Sequence, residues 1–370
     1  MVSEYGFQSF PSYGTLKPKI NEDQDADWFG KMSEHRQHHG NGNVEMENEI
    51  AQNLKLPDKA NKLNHFKSMI YLTQLNQAMS LKTSTELFIR LRDHVNETGF
   101  GMCYGAMYWQ FNDIWEGVSW SSIEYGGKLK MSHYYMKDIF SNLLASPYID
   151  HNNETFNVLL IFSEYPQKYD GEFTITVHSY DSFDEKYRET VKFSIEPHTS
   201  VLAYSVPTSL FETKSNCKFN DPKSCIIKIH YNPLDQVNND EINENFFFMN
   251  HYLKNVDNLQ TPTIKYELID NGNNQYSVNL TTSNVALFVW LDFETTDFVA
   301  IFSENAFHMT ESTKTVKFIT NKPVSKNELE KNFKVHSLMN IYQSGKSNNS
   351  NVVKFSFYIL MINLLVYLFY

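Results

Sequence analysis

Hydrophobic residues recur along this chain at two different spacings, and the change falls near Tyr148. Before that point, apolar side chains return every three or four residues, which is the spacing of amphipathic helices. One stretch begins at Leu63, a second at Leu87, and a third helix is expected over residues 130–144. The positions that define them are Leu63, Phe66, Met69 and Ile70, then Leu87, Leu91 and Val95, and then Met131, Tyr135, Ile139 and Leu143.

From Tyr148 onward, alternate residues are apolar, which is the spacing of half-buried β-strands. Short alternating segments separated by turn residues favour β-sandwiches. A linker around residues 255–262 divides the segments into two blocks, and the second block ends near Tyr342. The alternating positions are Phe173, Ile175 and Val177, then Val191, Phe193 and Ile195, then Ile227, Ile229 and Tyr231, and in the second block Tyr276, Val278 and Leu280, Val285, Leu287 and Val289, and Val316 and Phe318.

The part of the chain before Tyr148 also contains two segments with the character of strands. The first is the short run around Glu4, and the second is the continuous apolar and aromatic run from Gly101 to Phe111, as expected for a parallel strand buried on both faces. A polar stretch rich in Pro, Gly and Asn, which extends to about residue 60, predicts a loop after the first strand. Glu4 thus stands where a strand gives way to a loop, which is the position of catalytic carboxylates in barrel enzymes.

The run Ser3-Glu4-Tyr5-Gly6-Phe7-Gln8-Ser9 resembles the nucleophile strand of family 2 glycoside hydrolases, and the longer match Phe7-Gln8-Ser9-Phe10-Pro11-Ser12 narrows the resemblance to the β-mannosidases. Phe288-Val289-Trp290-Leu291-Asp292 is similar to the last domain of that family. The resemblance covers residues 1 to about 342. It implies an α/β plus all-β chain, in which a C-terminal fragment of a (β/α)8 TIM barrel is followed by two immunoglobulin-like β-sandwich domains.

The resemblance also implies domain boundaries. We expect the last two strand–helix units of the barrel at 1–147, a first immunoglobulin-like sandwich at 148–254, a second at 260–342, and a polar spacer with a hydrophobic tail at 343–370. A complete barrel takes about 250 residues, so six of its eight units would be missing. We therefore expect Met1 to be an internal methionine. The chain would then be the C-terminal part of a longer enzyme, or the product of a gene model that starts too late, and it would be inactive alone.

The activity implied by the resemblance is that of a retaining exo-β-mannosidase. Such an enzyme removes terminal non-reducing β-D-mannose from N-glycan-derived oligosaccharides in glycoprotein catabolism, without a cofactor. Retaining glycosidases use two carboxyl groups about 5–5.5 Å apart, one as the nucleophile and one as the acid/base. By resemblance, Glu4 is the nucleophile. The family's acid/base is the Glu of an Asn-Glu pair that would precede residue 1, and Glu116 and Glu124 lack that motif.

A second group of candidate residues follows the apolar run, within residues 108–115. A pyranose has an apolar face and a hydroxyl rim, so a sugar site combines an aromatic platform with hydrogen-bonding groups. By resemblance, Trp109 lines the pocket for the non-reducing sugar. Asn112 and Asp113 either bind sugar hydroxyls or orient neighbouring loops. Trp115 either borders the leaving-group side or packs against the barrel core.

The run His35-Arg36-Gln37-His38-His39 raises the question of a metal site, because His35 and His39 would share one helix face. The run lacks the Glu that a zinc protease motif adds. The same run occurs in β-mannosidases, whose chemistry needs no metal. We therefore expect no metal here, and instead a loop that shapes the entrance of the cleft through charge and hydrogen bonds.

Composition and motif specificity limit the alternatives. The net charge of -11 argues against nucleic-acid binding, which usually leaves a basic patch. The partner that the resemblance implies is an oligosaccharide. One alternative is another family 2 glycosidase, such as a β-glucuronidase or β-galactosidase, although Phe7-Gln8-Ser9 and the histidine run favour mannose. The other is a non-catalytic carbohydrate-binding or scaffold protein built on the two sandwiches.

Cysteines and glycosylation motifs indicate the compartment. Cys217 and Cys225 lie close together in a polar loop of the first sandwich and are expected to form a disulfide, whereas Cys103 is expected to be a buried free thiol. The acceptors for N-glycosylation are Asn96, Asn153, Asn279 and Asn348. The cysteine pair and the glycosylation motifs together favour a secretory or lysosomal route.

The last 16 residues, 355–370, form an apolar run without charge. A spanning helix needs about 20 residues, so the run is short for a transmembrane segment. Small and polar residues at 344–350 precede it, and the arrangement resembles a signal for attachment of a lipid anchor to the membrane. A misread exon end is the alternative interpretation.

Overall fold

The structure is a computed structural model that describes residues 1–93, 95, 99, 101–163, 167–231 and 243–343. The predicted glycosylation sites at Asn96 and Asn348 and the apolar tail at 355–370 lie outside these residues. None of the helices in the described ranges is long and apolar enough to cross a membrane.

The first part of the chain is mainly helical and contains a two-stranded sheet. Its elements are β1 (Val2–Tyr5), α1 (Tyr13–Leu16), α2 (Glu22–Asp25), α3 (Lys31–Arg36), α4 (Gly42–Asn53), α5 (Lys62–Arg90), β2 (Ala106–Tyr108) and α6 (Met131–Ile139). The strands β1 and β2 are parallel, and Tyr5 pairs with Tyr108. Both tyrosines pack against a buried cluster that includes Leu81 of α5 and Met136 of α6. The two helices therefore cover one face of the sheet.

A single helix of 29 residues, α5, replaces the two separate helices predicted from Leu63 and Leu87. The side chain of Asn61 caps its start by accepting the N–H of Asn64 at 2.9 Å. No glycine or proline interrupts the sequence of α5, so nothing stops it between the two predicted stretches. The helix ends before Val95, which is 59% exposed, so the prediction that the second helical stretch continues to Val95 is wrong.

Two other predicted boundaries are also wrong. The third helix, α6, ends at Ile139 rather than at residue 144. Leu143 instead begins β3 (Leu143–Asp150) and pairs with Phe162, a contact between distant residues that helical periodicity does not reveal. The polar stretch before residue 60 is not only a loop, because it contains α4, whose buried apolar side chains are Met46 and Ile50.

The apolar run from Gly101 to Phe111 forms a shorter strand than predicted, and it is not buried on both faces. The strand β2 has three residues, and the flanking Tyr104 and Phe111 are 57% and 62% exposed. Among the described residues, β2 pairs with β1 alone. The far face of this small sheet therefore has no covering layer in the described part of the chain.

The middle of the chain folds into two antiparallel sheets around one core. The sheets have the strand orders β3-β4-β7 and β6-β5-β8-β9, and the further elements are β4 (Thr155–Phe162), β5 (Tyr169–Ser179), β6 (Glu185–Ile195), β7 (Ser200–Pro207), α7 (Thr208–Ser215), β8 (Cys225–Tyr231) and β9 (Asn243–Phe248). The predicted alternation is confirmed in β5, where Phe173, Ile175 and Val177 are buried, and in β8, where Ile227 and Ile229 are buried. These side chains form one core with those of β4.

The last part of the chain repeats this two-sheet arrangement. Its sheets have the orders β10-β11-β15-β13 and β14-β12-β16, and its elements are β10 (Ile264–Gly272), β11 (Gln275–Thr282), β12 (Ala286–Phe293), β13 (Ala300–Phe302), β14 (Phe307–Met309), β15 (Thr313–Thr320), α8 (Lys326–Asn332), β16 (Phe333–His336) and α9 (Leu338–Ile341). The predicted alternation is confirmed at Val278 and Leu280 of β11 and at Val316 and Phe318 of β15, all of which are buried.

Direct contacts join the last sheets to the helical part. The Tyr71 hydroxyl of α5 donates to the carbonyl of Phe288 at 2.6 Å. Lys128 forms an ion pair with Asp292 at 2.7 Å, and its ammonium also donates to the hydroxyl of Ser12 at 3.2 Å. The segment that follows β1 is therefore held from the side of the last sandwich as well as from α5.

Candidate active site

Glu4 lies on β1 with its side chain exposed to solvent. The next residue, Tyr5, points toward α5, where its hydroxyl hydrogen bonds to Thr85 at 2.6 Å and its ring packs edge-on against Phe88 at 5.0 Å. Successive side chains of a strand point to opposite faces. Glu4 therefore faces away from the helices, and none of the described residues hydrogen bonds to its carboxylate.

Trp109 follows β2 and lies on the same face as Glu4. Its backbone N–H donates to the carbonyl of Tyr5 at 2.7 Å, and Tyr108, the preceding residue, packs beside Tyr5 on the cluster covered by α5 and α6. The alternation of side chains directs Trp109 to the opposite face, where 48% of the residue is exposed. The structure thus brings the predicted nucleophile and the predicted platform together at neighbouring strand ends.

Gly6 permits the close approach of these two strand ends. A Cβ atom at Gly6 would lie 2.1 Å from the carbonyl oxygen of Trp109 and 3.1 Å from Cδ1 of Trp120. No side chain fits at the first of these distances. The glycine that follows Glu4-Tyr5 is therefore required by steric contact with the second strand.

Buried hydrogen bonds hold the segment immediately after the nucleophile candidate. Ser9 exchanges backbone hydrogen bonds with Ser119 at 2.8 and 3.2 Å, and its hydroxyl donates to Oε1 of Gln77 at 2.9 Å. The ammonium of Lys130 donates to the carbonyl and the hydroxyl of Ser9 at 3.2 and 3.1 Å. Burial lowers the pKa of Lys130, while the charges of nearby carboxylates oppose that shift. These contacts with Ser9 fix the position of the segment formed by residues 7–12.

Glu124 belongs to the same buried network. Its carboxylate accepts hydrogen bonds from the N–H and the hydroxyl of Ser12 at 2.7 and 2.9 Å, from the hydroxyl of Thr15 at 2.5 Å and from the amide of Gln74 at 3.2 Å. Because Glu124 is 2% exposed and its oxygens are occupied, it is a positioning residue rather than a proton donor to a substrate. Glu116 lies within 4 Å of two cationic side chains, at 3.5 and 3.9 Å.

Asp113 and Asn112 hold the loop after Trp109. The Asp113 carboxylate is buried and accepts a hydrogen bond from the hydroxyl of Ser121 at 2.6 Å, and its N–H donates to the carbonyl of Ile123 at 3.0 Å. This geometry fits a role in orienting the loop, and contact with sugar hydroxyls stays a prediction. Asn112 is exposed, and its amide donates to the carbonyl of Asp113 at 3.2 Å.

The histidine run does not form one helix face, and three of its residues lie near Trp115. The helix α3 ends at Arg36, so the expectation that His35 and His39 share a face is wrong. The rings of His35 and His38 lie 6.1 and 5.0 Å from the Trp115 ring, and the guanidinium of Arg36 lies 5.2 Å from it. In the described residues, no group of three or more His, Cys, Asp or Glu side chains is arranged to hold a metal ion.

Three residues that hold the site were not identified from the sequence: Gln74, Gln77 and Lys130. A signal existed for the two glutamines, because they lie three residues apart on the buried face of α5, where polar side chains need partners. Lys130 had no such signal. It directly precedes α6 in a polar stretch, and its complete burial depends on contacts with residues far away in sequence.

The remaining predicted sites lie in the β-rich part, apart from Cys103. The structure joins Cys217 and Cys225 by a disulfide, both residues are buried, and Cys225 is the first residue of β8 rather than part of a loop. Cys103 is a buried free cysteine that lies outside the short strand β2. Asn153 lies in an exposed turn, and Asn279 lies in β11, where its side-chain oxygen accepts a hydrogen bond from a threonine of β15 at 2.8 Å.

Comparison by sequence relates the chain to β-mannosidases. It is 39% identical over 344 residues to the beta-mannosidase of Capra hircus and 38% identical to that of Bos taurus. Each match covers 92% of this chain and 37% of the relative, so the chain spans well under half the length of the curated relatives it matches. Residues 259–341 match the Ig_mannosidase family model, an Ig-fold domain.

Two solved structures share the fold of this chain. The beta-D-mannosidase from Dictyoglomus thermophilum superposes with a TM-score of 0.70 at 21% identity, over 91% of this chain and 37% of that chain. The exo-chitosanase CsxA of Amycolatopsis orientalis superposes with a TM-score of 0.60 at 15% identity, over 90% of this chain and 41% of that chain. At these identities the likeness shows the fold alone. The identity of 39% and 38% to the two mammalian relatives, over 92% of this chain, shows that the chain is similar to a part of β-mannosidases.

Proposed function

We propose that this chain supplies the nucleophile and part of the sugar pocket of a retaining exo-β-mannosidase. The substrate would be a terminal non-reducing β-D-mannose of N-glycan-derived oligosaccharides, which belongs to glycoprotein catabolism. The observation that carries the proposal is the shared face of Glu4 and Trp109 at the ends of two neighbouring parallel strands. The similarity to relatives named beta-mannosidase supports the choice of sugar.

In this reaction, an oxygen of the Glu4 carboxylate attacks the anomeric carbon of the mannose. The bond from that carbon to the glycosidic oxygen breaks, and an acid on the other side of the bond protonates the departing oxygen. The sugar is then an ester of Glu4. Water, deprotonated by the same second carboxylate, attacks the anomeric carbon and releases mannose, which regenerates the Glu4 carboxylate.

The second carboxylate of this mechanism is neither Glu116 nor Glu124. Glu124 is occupied by four hydrogen bonds in a buried network, and Glu116 is paired with cations, so neither is available as the acid. We therefore expect no mannosidase activity from these residues alone.

The domain assignment is part of the same proposal. Residues 1–147 would be the last two strand–helix units of a TIM barrel, and residues 148–254 and 260–342 would be two immunoglobulin-like sandwiches. Parallel pairing of β1 with β2 and the helices on one face of that pair support the barrel interpretation. The uncovered face that carries Glu4 would then face the interior of the barrel mouth.

The proposed compartment is the secretory pathway or the lysosome. A buried disulfide between Cys217 and Cys225 and an exposed glycosylation motif at Asn153 support an oxidising, glycosylating route. Attachment to a membrane through residues 355–370 is a separate proposal. It rests on the sequence of the tail, and a phospholipase specific for phosphatidylinositol would release the protein from cell membranes if the anchor is present.

A chimera tests the catalytic proposal. The segment of the Capra hircus beta-mannosidase that aligns with this chain would be replaced by this chain, and hydrolysis of a chromogenic β-D-mannoside would be measured. We expect the chimera to be active and Glu4→Gln to lower kcat by several orders of magnitude with a small change in KM, because the amide cannot act as a nucleophile.

The matched control is Glu34→Gln, which changes an exposed carboxylate on α3 and is expected to keep normal turnover. Equal activity of the Glu4 and Glu34 variants would contradict the assignment of the nucleophile. Parallel assays with a β-glucuronide and a β-galactoside would identify a different family 2 specificity if one of them exceeded the mannoside.

A further inference from the structure

The sequence contains an asparagine followed by a glycine at two places, Asn41-Gly42 and Asn271-Gly272. At such a pair, the backbone nitrogen of the glycine can attack the side-chain amide carbon of the asparagine, because glycine has no side chain to hinder the approach. The two groups belong to adjacent residues, so the attack is intramolecular and closes a five-membered ring. The sequence does not distinguish the two pairs, whereas their surroundings in the structure do.

Asn271 is the extra residue of a β-bulge near the tip of the hairpin formed by β10 and β11. Asp270 pairs with Tyr276 and Gly272 pairs with Gln275, so Asn271 has no residue of β11 opposite it. Among the described strands, β10 is also the edge strand of its sheet. A bulged residue at a sheet edge is held less firmly than a paired residue, so the backbone at Asn271 can rotate without opening the sheet.

The peptide between Asn271 and Gly272 is open to water. Both residues are exposed, and no atom lies within 4 Å of a Cβ built on Gly272. The N–H of Gly272 donates to Oδ1 of Asp270 at 2.8 Å, so a carboxylate that can accept the proton touches the nitrogen that must lose it. The side-chain amide of Asn271 donates to the hydroxyl of Ser277 at 2.7 Å. The leaving nitrogen therefore lies beside a hydroxyl that can supply a proton.

The peptide between Asn41 and Gly42 is fixed on both sides. Gly42 is the buried first residue of α4, and its N–H donates to the carbonyl of His39 at 2.9 Å. The carbonyl of Asn41 accepts the N–H of Glu45 at 3.0 Å. A Cβ at Gly42 would lie 2.5 Å from Oε1 of Gln8, so neighbouring side chains fill the space around this backbone. Ring closure at Asn41 therefore requires α4 to open at its start.

We propose that Asn271 is a site of spontaneous modification, where deamidation yields aspartate and isoaspartate while Asn41 stays intact in the folded chain. The nitrogen of Gly272 loses its proton and forms a bond with Cγ of Asn271. The bond from Cγ to the side-chain nitrogen breaks, and that nitrogen takes up a proton and leaves as ammonia. Water then adds to either carbonyl carbon of the resulting succinimide and opens the ring. The reaction consumes one water for each ammonia released and is independent of the glycosidase activity.

The modification changes the hairpin in two ways. Either product places a new carboxylate next to that of Asp270, and like charges at this distance repel each other. Isoaspartate also adds a methylene group to the main chain at the bulge. Modified chains therefore carry one more negative charge than unmodified chains, which allows ion-exchange chromatography to separate the two.

The test incubates the folded full chain in a mildly alkaline buffer and follows each asparagine by peptide mapping, with fragmentation that distinguishes isoaspartate from aspartate. Asn271 is expected to react at least about tenfold faster than Asn41, because Asn41 reacts only in the fraction of chains in which α4 has opened. In concentrated urea, the two asparagines should react at rates within about threefold of each other, because the folded surroundings that distinguish them are lost.

Asn271→Gln should abolish deamidation in the hairpin peptide, because the longer side chain would have to close a six-membered ring. Asn41→Gln is the matched control and should leave deamidation of the hairpin unchanged, and circular dichroism would verify that both variants are folded. Three results would each overturn the proposal. These are equal rates at Asn41 and Asn271 in the folded chain, an unmodified Asn271 under conditions in which the unfolded chain reacts, and deamidation of the hairpin peptide that persists in Asn271→Gln.

Discussion

The backbone N–H of Trp109 donates to the carbonyl of Tyr5 at 2.7 Å, and this bond sets the relative position of the two strand ends that carry the candidate site. Tyr5 is the last residue of β1, and Trp109 directly follows β2, its parallel partner. Because side chains alternate along each strand, it also sets Glu4 and Trp109 on one face. Changes that disturb this contact should affect both residues together.

Gly6→Ala should destabilise the chain by roughly 1–3 kcal/mol or more, because the new Cβ would lie 2.1 Å from the carbonyl of Trp109. Urea unfolding provides the measurement. Gly40→Ala is the matched control, since no atom lies within 4 Å of a Cβ at that position. A similar, small effect of both substitutions would contradict the close approach of the two strands.

Glu124→Ala should lower the free energy of unfolding by roughly 2–4 kcal/mol. The substitution leaves buried donors of Ser12, Thr15 and Gln74 without their acceptor. Glu311→Ala, at an exposed carboxylate, is the control and should change stability by less than about 0.5 kcal/mol. If both variants were equally stable, the buried network would not hold the segment after β1.

Acidification should destabilise the fold in part through His308. Its pKa is lowered to about 3 by burial, below the ordinary value of 6.5, so the unfolded chain binds this proton at a higher pH than the folded chain. The stability that His308 contributes is therefore complete above pH 6.5 and is lost as the pH falls toward 3. Between pH 7 and pH 4.5 the loss from this residue should be roughly 2 kcal/mol.

His308→Gln tests this pH dependence, because glutamine retains an acceptor for the N–H of Phe288 but does not titrate. The variant should lose less stability than the wild type between pH 7 and pH 4.5 in urea unfolding. The same pH dependence in both proteins would mean that His308 does not titrate at a lowered pKa in the folded state.

Removal of the disulfide should cost roughly 2–3 kcal/mol, because the bond closes a short loop, with the two cysteines eight residues apart. The variant with Cys217→Ala and Cys225→Ala should unfold at a lower urea concentration than the oxidised wild type and should not respond to a reductant. A wild type that also shows no response to reductant would indicate that the two thiols are not linked.

The β-rich parts were predictable because their cores follow a local pattern. Phe173, Ile175 and Val177 alternate in the sequence, and all three are buried in β5. The helical part was less predictable where a boundary depends on distant partners. Leu143 continues the helical spacing of α6, yet pairing with Phe162 makes it the first residue of a strand.

The site was predictable to the extent that motif and strand position identify it. The sequence indicated Glu4 and Trp109, and the structure brings them to one face. The role of Lys130 depends on its burial beneath Ser9, 121 positions away in the chain, which no local pattern records. The exposure of Phe111 was also missed, because a continuous apolar run does not reveal which of its faces are covered.

The most direct test of the central claim is covalent labelling of the nucleophile in the chimera with the Capra hircus relative. A 2-deoxy-2-fluoro-β-D-mannosyl fluoride slows hydrolysis of the glycosyl ester more than its formation, so the ester should accumulate. Peptide mapping by mass spectrometry should find the fluorosugar on Glu4 and no label after Glu4→Gln. A fluorosugar attached to any other carboxylate would contradict the assignment of Glu4.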